Sequence, residues 1–276
     1  MVRKATIPVE KATSRESLRS LIRHWENKEH NCQSTHSFEP IGCTHVSIDI
    51  DETIAEVHEV MLRNYNRVKG TNYTIADHKD WDFKSVGSNY LEMMKFYVDA
   101  WKNHWEEIRF MGNKYSLIRV EEYFTQDVSS SRDWNERDGP TGGTIEGTEK
   151  WLFANGINWL PYFFDQTKIK KFDLKYEIYV DDSPKLAEEI ISRSRRFQFV
   201  IDKPYNRHIP DTERTMRVSG IDEFSEELIS AAIDVGIGKR HYQGRVAQRF
   251  LYEGGIPARD KIIQQERGFI LPEPRN

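Results

Sequence analysis

The stretch VSIDIDETIAEV, from Val46 to Val57, decides the fold prediction because it places two acids directly after a short apolar run. Residues i and i+2 of a strand point to the same side, so Asp49 and Asp51 are expected to face the same way. Two like charges this close are unfavourable unless a cation lies between them or one of them is protonated. The stretch therefore predicts either a polar strand end or a site built for a cation and proton transfer.

A second acid pair follows another apolar run, in YEIYVDDSP, where Asp181 and Asp182 come directly after the strand pattern. Short apolar runs alternate with helical patterns here, which is typical of an α/β fold with a parallel sheet and three layers. Ligands bind at the carboxyl ends of such strands, so Asp49, Asp51, Asp181 and Asp182 are expected at one edge. Oxygen-rich clusters suit Mg²⁺, and the sequence predicts a magnesium site there.

Composition narrows the class of protein. The chain has 276 residues, a net charge of -4 and only two cysteines. The charge gives no strong nucleic-acid signature, and the cysteine count argues against a secreted disulfide framework. No apolar stretch approaches the ~20 residues that span a bilayer, and the first residues lack the apolar middle of a signal peptide. We expect a cytoplasmic protein with no membrane partner.

The polar segment before the first strand carries five residues that could bind zinc. Their spacing matches no recognised zinc-finger pattern, so a plain linker is the favoured interpretation and zinc binding stays open. The residues are His30, Cys32, His36, Cys43 and His45.

The chain is predicted to consist of a core with one insertion and two extensions. Thr13 to Glu16 fits a capping box at the start of an N-terminal helix. The block after the first strand is helical and aromatic-rich, whereas Tyr123 to Ser129 is a poor strand candidate because Gln126 and Asp127 dilute it. The predicted parts are an N-terminal helical extension (1–42), an α/β core (43–55 and 124–235), a helical cap (56–123) and a C-terminal extension (236–276).

DIDET and VDDSP resemble the first and fourth motifs of the haloacid dehalogenase-type phosphohydrolases. The resemblance implies a three-layer Rossmann-like core with a type C1 cap inserted after the first strand. It implies that Asp49 attacks phosphorus to form an aspartyl-phosphate, that Asp51 is the general acid and base, and that Thr53 belongs to the same catalytic motif. It also implies a Mg²⁺ ion held by Asp49, the Asp51 carbonyl and a fourth-motif acid, with Asp182 preferred over Asp181.

The second and third motifs of that family are a Ser or Thr that binds phosphate and a Lys that offsets charge. SSSRD offers Ser129, Ser130 and Ser131. Ser130 is preferred because Ser130-Ser131-Arg132 resembles the Thr-Ala-Arg of related nucleotidases, and Ser131 and Arg132 are further substrate-binding candidates. DQTKIKKF offers three lysines. Lys168 is preferred because it follows the strand end thirteen residues before Asp181, and Lys171 is the alternative.

Further segments narrow the resemblance to the class C 5′-nucleotidase or 5′(3′)-deoxyribonucleotidase group: NYTIADHKDWDF, TEKWLFANGI and VIDKPYNR. That group implies a small phosphorylated substrate, a nucleotide, beneath a cap that opens and closes. Trp81 and Phe83 would either stack on its base or pack inside the cap. The alternatives are a phosphatase of polynucleotide ends or sugar phosphates, and a non-catalytic binding protein on a degenerate core. The exact substrate and a homo-oligomeric state stay open.

Overall fold

Six parallel strands form one sheet in the described part of this computed structural model, residues 9–29, 46–132, 144–157, 161–164, 170–174, 176–193 and 195–237. The strands are β1 (Val46–Ile48), β2 (Gln126–Ser131), β3 (Tyr162–Phe164), β4 (Ile178–Asp181), β5 (Phe197–Ile201) and β6 (Thr215–Val218). Their order is β3-β2-β1-β4-β5-β6, with Val46 opposite Gln126 on one side and Ile178 on the other. The predicted α/β fold with a parallel sheet is confirmed.

Helices cover both faces of the sheet. They are α1 (Val9–Glu29), α2 (Val57–Lys69), α3 (Tyr90–Asn103), α4 (Lys114–Glu121), α5 (Thr144–Ala154), α6 (Pro184–Arg193) and α7 (Ile221–Asp234). Alternate residues of a strand point to opposite faces. Tyr179 of β4 accordingly packs with Leu186 of α6, while Ile178 and Val180 join the larger core that includes Phe224 of α7. The result is the expected three-layer arrangement.

Strand β2 forms although its sequence, QDVSSS, is polar. Two of its buried side chains find hydrogen-bond partners: Ser129 Oγ lies 2.5 Å from Ser47 Oγ of β1, and Gln126 Nε2 donates to the Leu117 carbonyl at 2.7 Å. A polar group that is hydrogen-bonded avoids most of the cost of burial. The expectation of a poor strand was therefore wrong, because it weighed composition without the partners across the sheet.

The N-terminal helix packs on the core instead of projecting from it. Leu18 and Ile22 are fully buried in the main cluster, and Ser14 Oγ donates to the Thr215 carbonyl of β6 at 3.0 Å. Arg15 pairs with Glu227 of α7. Because α1 begins at Val9, the predicted capping box at residues 13–16 lies inside the helix and is wrong as an N-terminus.

The segment between β1 and β2 is fully described and contains no strand of the sheet. Helix α2 packs on α3, and α3 packs on α5, where the Trp101 and Trp151 rings meet edge to face at 5.9 Å. Helix α4 instead packs on α7, with Ser225 Oγ donating to the Ser116 carbonyl at 2.9 Å. The last helix of the predicted cap (56–123) thus lies against the core.

Two sequence predictions concern residues outside the described ranges: the five potential zinc ligands between positions 30 and 45, and the C-terminal extension beyond Ile237. The sequence analysis did not identify β6 or α7. Helix α5 is followed by Gly156 in the left-handed region at φ +73, a conformation that commonly ends a helix. No helix within the described ranges is both long and apolar enough to cross a bilayer.

Candidate active site

The strand order has a topological switch point between β1 and β4, which are neighbours in the sheet. Strands β2 and β3 extend the sheet on one side of β1, and β4, β5 and β6 extend it on the other. In open α/β sheets the crevice at such a switch point, outside the carboxyl ends of the strands, is where ligands bind. The predicted acids follow β1 and β4 at this edge, and the predicted serines end β2 between them and β3.

Three carboxylates converge at the switch point. Asp49, Asp181 and Asp182 are buried, and each offers one oxygen within 4.8 Å of the other two. Burial raises the pKa of Asp49 to about 7, with Lys171 opposing the rise and Asp181 adding to it. Burial also raises the pKa of Asp182 well above its ordinary value, and Asp181 and Asp49 raise it further.

This donor set fits a hard divalent cation. Buried carboxylates at such short separations repel one another, and a cation among them relieves the repulsion that raises their pKa values. Three carboxylate oxygens are the ligand type that Mg²⁺ accepts. We therefore regard Asp49, Asp181 and Asp182 as the residues whose side chains would hold the ion. The side chain of Asp51 is outside this group and is bound by other partners; only its backbone carbonyl was predicted as a ligand.

Lys171 supplies the positive charge of the cluster. Its Nζ lies 2.6 Å from Asp49 Oδ1 and 2.5 Å from Asp181 Oδ2. Burial alone would lower the pKa of Lys171, but the two carboxylates raise it overall, so the ammonium form is retained. Lys168, the preferred candidate, lies outside the described residues, and Lys170 pairs with Glu189 at the surface. The lysine that the structure places in the site is the alternative, Lys171.

Asp51 is fixed by donors from α3 and from the end of β2. Oδ2 accepts from Tyr97 OH at 2.9 Å, from Arg132 Nη1 at 2.7 Å and from Ser130 Oγ at 3.2 Å, and Oδ1 accepts from Trp101 Nε1 at 2.9 Å. Burial alone would raise the pKa of Asp51, but the charge and hydrogen bonds of Arg132, together with the hydrogen bonds from Tyr97 and Trp101, outweigh burial and lower this pKa overall. The carboxylate is therefore held in one orientation and favoured in its ionised form.

Arg132 lies beneath Asp51. We predicted that it binds substrate, but its side chain is 0% exposed. The guanidinium lies 5.4 Å from the Trp101 ring centroid and 5.6 Å from that of Tyr97, and it also contacts Thr148 Oγ1 of α5 at 3.2 Å. The aromatic rings exclude water from the cation, so the structure assigns Arg132 to holding Asp51.

The other serine and threonine candidates have different positions. Ser130 is buried beside Asp51, whereas Ser131 is half-buried at the end of β2, with its carbonyl accepting from Arg132 at 3.0 Å. Ser129 pairs with Ser47 below the site. Thr53 Oγ1 is buried in the turn after Asp51 and has no hydrogen-bond partner among the described residues.

The turn that follows β1 passes through Glu52, which has a left-handed backbone with φ +56. A side chain with a Cβ rarely adopts this conformation, so Glu52 is held in it by its contacts. The Glu52 carboxylate is 1% exposed and accepts from Lys203 Nζ at 2.7 Å and from the His58 amide at 2.7 Å. This contact joins the turn to α2 and to the loop after β5.

Phe83 and Trp81 occupy different environments. Phe83 is 6% exposed and stacks on the His78 ring, with centroids 4.1 Å apart and an interplanar angle of 8°. One face of its ring is therefore already covered. Trp81 is half-buried and meets the Tyr205 ring edge to face at 5.5 Å, which leaves it the more accessible of the two predicted stacking residues.

Sequence reasoning missed several residues around the site: Tyr97, Trp101, Lys203, Tyr205 and Asn206. The last three follow the apolar strand FQFVI, so the strand-end argument used for the acids would have found them. Tyr97 and Trp101 give no such signal, because only the docking of α3 brings them to Asp51.

No family model matches the chain, and no curated protein matches it. Among solved structures, it is similar to a haloacid dehalogenase-like family hydrolase from Xanthomonas campestris, with 8% identity, 70% of this chain and 98% of that chain covered, and a TM-score of 0.41. It is also similar to a protein from Bacteroides vulgatus named after beta-phosphoglucomutase, with 13% identity, 80% and 98% covered, and a TM-score of 0.36. At these identities and TM-scores, neither likeness identifies the function of the chain.

Proposed function

We propose that the chain is a Mg²⁺-dependent phosphomonoesterase of the haloacid dehalogenase type. The observation that carries the proposal is the buried group of Asp49, Asp181 and Asp182 with Lys171 between two of its members, at the carboxyl edge of the central strands. A structural role alone gives no reason to bury three carboxylates around one lysine, because burying like charges is costly. Phosphoryl transfer to a carboxylate gives a reason for such a group, because a carboxylate attacks a phosphoester dianion only when charge is neutralised.

Asp49 is the nucleophile in this proposal. Its oxygen attacks phosphorus and forms an aspartyl-phosphate, while the bond from phosphorus to the leaving oxygen breaks. Lys171 offsets the charge of Asp49 and Asp181 and is close enough to reach a phosphoryl oxygen. A bound Mg²⁺ would supply further charge neutralisation and polarise the phosphoryl group.

Asp51 moves the proton. In the first step its carboxyl protonates the leaving oxygen, and in the second its carboxylate accepts a proton from the water that attacks the aspartyl-phosphate. In the free protein Arg132 helps to keep the pKa of Asp51 low, so Asp51 is ionised, which is the form that accepts a proton in the second step. The negative charge of an arriving phosphate raises that pKa and favours the first role. Tyr97 and Trp101 keep the carboxyl oriented through both steps.

The proposed substrate is a nucleoside 5′-monophosphate. Support comes from the resemblance of the helical segment to the nucleotidase group and from the partly exposed ring of Trp81, which could stack on a base. Phosphorylated sugars and polynucleotide ends are alternative leaving groups with the same phosphoester chemistry. A substrate panel separates them.

The test is a phosphate-release screen over nucleotides, sugar phosphates and phosphorylated oligonucleotides, with Mg²⁺ and with a chelator. We expect Mg²⁺-dependent release, highest on nucleoside monophosphates, that is lost in Asp49→Asn. Asp234→Asn is the control, because Asp234 is exposed and pairs with Arg19 of α1, outside the carboxylate cluster. Turnover retained in Asp49→Asn would refute the mechanism, and a folded protein inactive across the panel would refute the function.

A further inference from the structure

The loop after β5, residues 203–206, carries polar side chains that are buried. Lys203 is 5% exposed, Tyr205 3% and Asn206 0%. Buried polar groups are costly unless they are paired, so the partners of these side chains show what the loop does. Their partners lie in the carboxylate cluster and in the turn after β1.

Tyr205 and Asn206 hold Asp182 at two points. Tyr205 OH donates to Asp182 Oδ2, and Asn206 Nδ2 donates to the Asp182 carbonyl at 2.8 Å. The side chain and the backbone of this acid are therefore both fixed by the same loop. A carboxylate that accepts the phenol at Oδ2 keeps Oδ1 as a ligand atom for a cation.

The loop is itself fixed by charged partners. Arg217 of β6 donates through Nη1 to Asn206 Oδ1 at 2.8 Å and through Nη2 to the Asn206 carbonyl at 2.9 Å. Lys203 Nζ donates to Glu52 Oε2 in the turn that follows the nucleophile. The loop thus connects Asp182 to the turn next to Asp49 and Asp51.

We propose that Tyr205 and Asn206 are positioning residues for Asp182, and that they set the affinity of the carboxylate cluster for a divalent cation. The inference rests on the cation site of the proposed function. Residues that hydrogen-bond to a metal ligand fix its orientation, and their loss typically lowers metal affinity by about 10- to 100-fold. Tyr205→Phe is the informative variant, because it removes one hydroxyl and keeps the ring that contacts His78 and Trp81.

The experiment is calorimetric titration of the metal-free full chain with Mn²⁺ and with Mg²⁺. The dissociation constant is expected to rise about 10-fold in Tyr205→Phe. The Mg²⁺ concentration for half-maximal hydrolysis should rise by the same factor, while the rate at saturating Mg²⁺ changes little. The matched control is Tyr176→Phe: Tyr176 is also a buried phenol that donates to a carboxylate, Asp127 at 3.2 Å, outside the cluster. Its affinity should equal that of the wild type.

Each other outcome is decisive. If Tyr205→Phe binds Mn²⁺ as tightly as the wild type, the positioning role is refuted and the proposed function stands. If Tyr205→Phe and Tyr176→Phe weaken binding equally, the effect is one of general stability and the positioning role is again refuted. A wild-type chain that binds neither ion would overturn both the positioning role and the cation-dependent function.

Discussion

A substitution of Gly147 in α5 tests how closely α3 of the helical insertion packs on α5. A Cβ added at Gly147 would lie 1.8 Å from the Trp101 carbonyl oxygen of α3, and the three nearest atoms all belong to the Trp101 backbone. Ordinary contact begins near 3.4 Å, so the two helices must separate by more than an ångström. Overpacking of this kind costs about 1–3 kcal/mol, and a rigid backbone neighbour favours the upper end. The better helix propensity of Ala offsets about 1 kcal/mol.

We expect Gly147→Ala to lower the free energy of unfolding by about 2 kcal/mol, since overpacking exceeds the gain in propensity. For a chain of this size that corresponds to a fall of about 4–8 °C in the melting temperature. The assays are urea unfolding and thermal melting, with phosphate release measured in parallel. Hydrolysis should also fall, because α3 carries Tyr97 and Trp101, which hold Asp51.

Gly220→Ser is the matched control. The space around Gly220 is open, its backbone is extended, and Ser is a preferred residue at the start of a helix such as α7. Its stability should stay within about 0.5 kcal/mol of the wild type. If Gly147→Ala were as stable as this control, the close contact between α3 and α5 would be refuted.

Three further predictions concern buried titratable side chains. Arg132→Met should raise the pKa of Asp51, so the alkaline limb of the pH–rate profile should move to higher pH; an unmoved limb would contradict the pairing. Burial lowers the pKa of His78 to about 3, so the unfolded chain binds more protons than the folded chain below pH ~6.5. The free energy of unfolding therefore decreases as the pH decreases, by about 2 kcal/mol from this residue between pH 7 and pH 5. His78→Phe should remove that part of the slope in urea unfolding, and an unchanged slope would count against a neutral buried His78. Lys203→Met should destabilise by about 3–5 kcal/mol because it leaves the buried Glu52 carboxylate unpaired, and adding Glu52→Gln should restore much of the loss; a double variant no better than the single one would rule out this cause.

The sequence was most informative where local pattern and chemistry coincide. Asp49 and Asp181 could be placed at one sheet edge because each follows an apolar run, and parallel strands bring their carboxyl ends together. Strand β2 was undervalued because the partners of its serines, such as Ser47, lie 82 positions away in the chain. Such a pairing has no signature in a local window.

Other features needed the assembled structure. Spacing along the sequence favoured Lys168 over Lys171, but it is Lys171 whose ammonium contacts Asp49 in the folded chain. Arg132 was predicted to bind substrate from the resemblance of Ser130-Ser131-Arg132 to a family motif. Its burial depends on rings from α3, far from it in sequence. A tertiary contact between distant segments decides the role of each residue.

The most direct test of the central claim is covalent labelling of Asp49 during turnover. The protein is mixed with a phosphoester carrying a labelled phosphoryl group, quenched in acid and digested, and the labelled peptide is identified. We predict label on the peptide that contains Asp49, dependent on Mg²⁺ and absent from Asp49→Asn. Mg²⁺-dependent hydrolysis with no labelled protein under rapid quenching, or label on a different residue, would contradict the account.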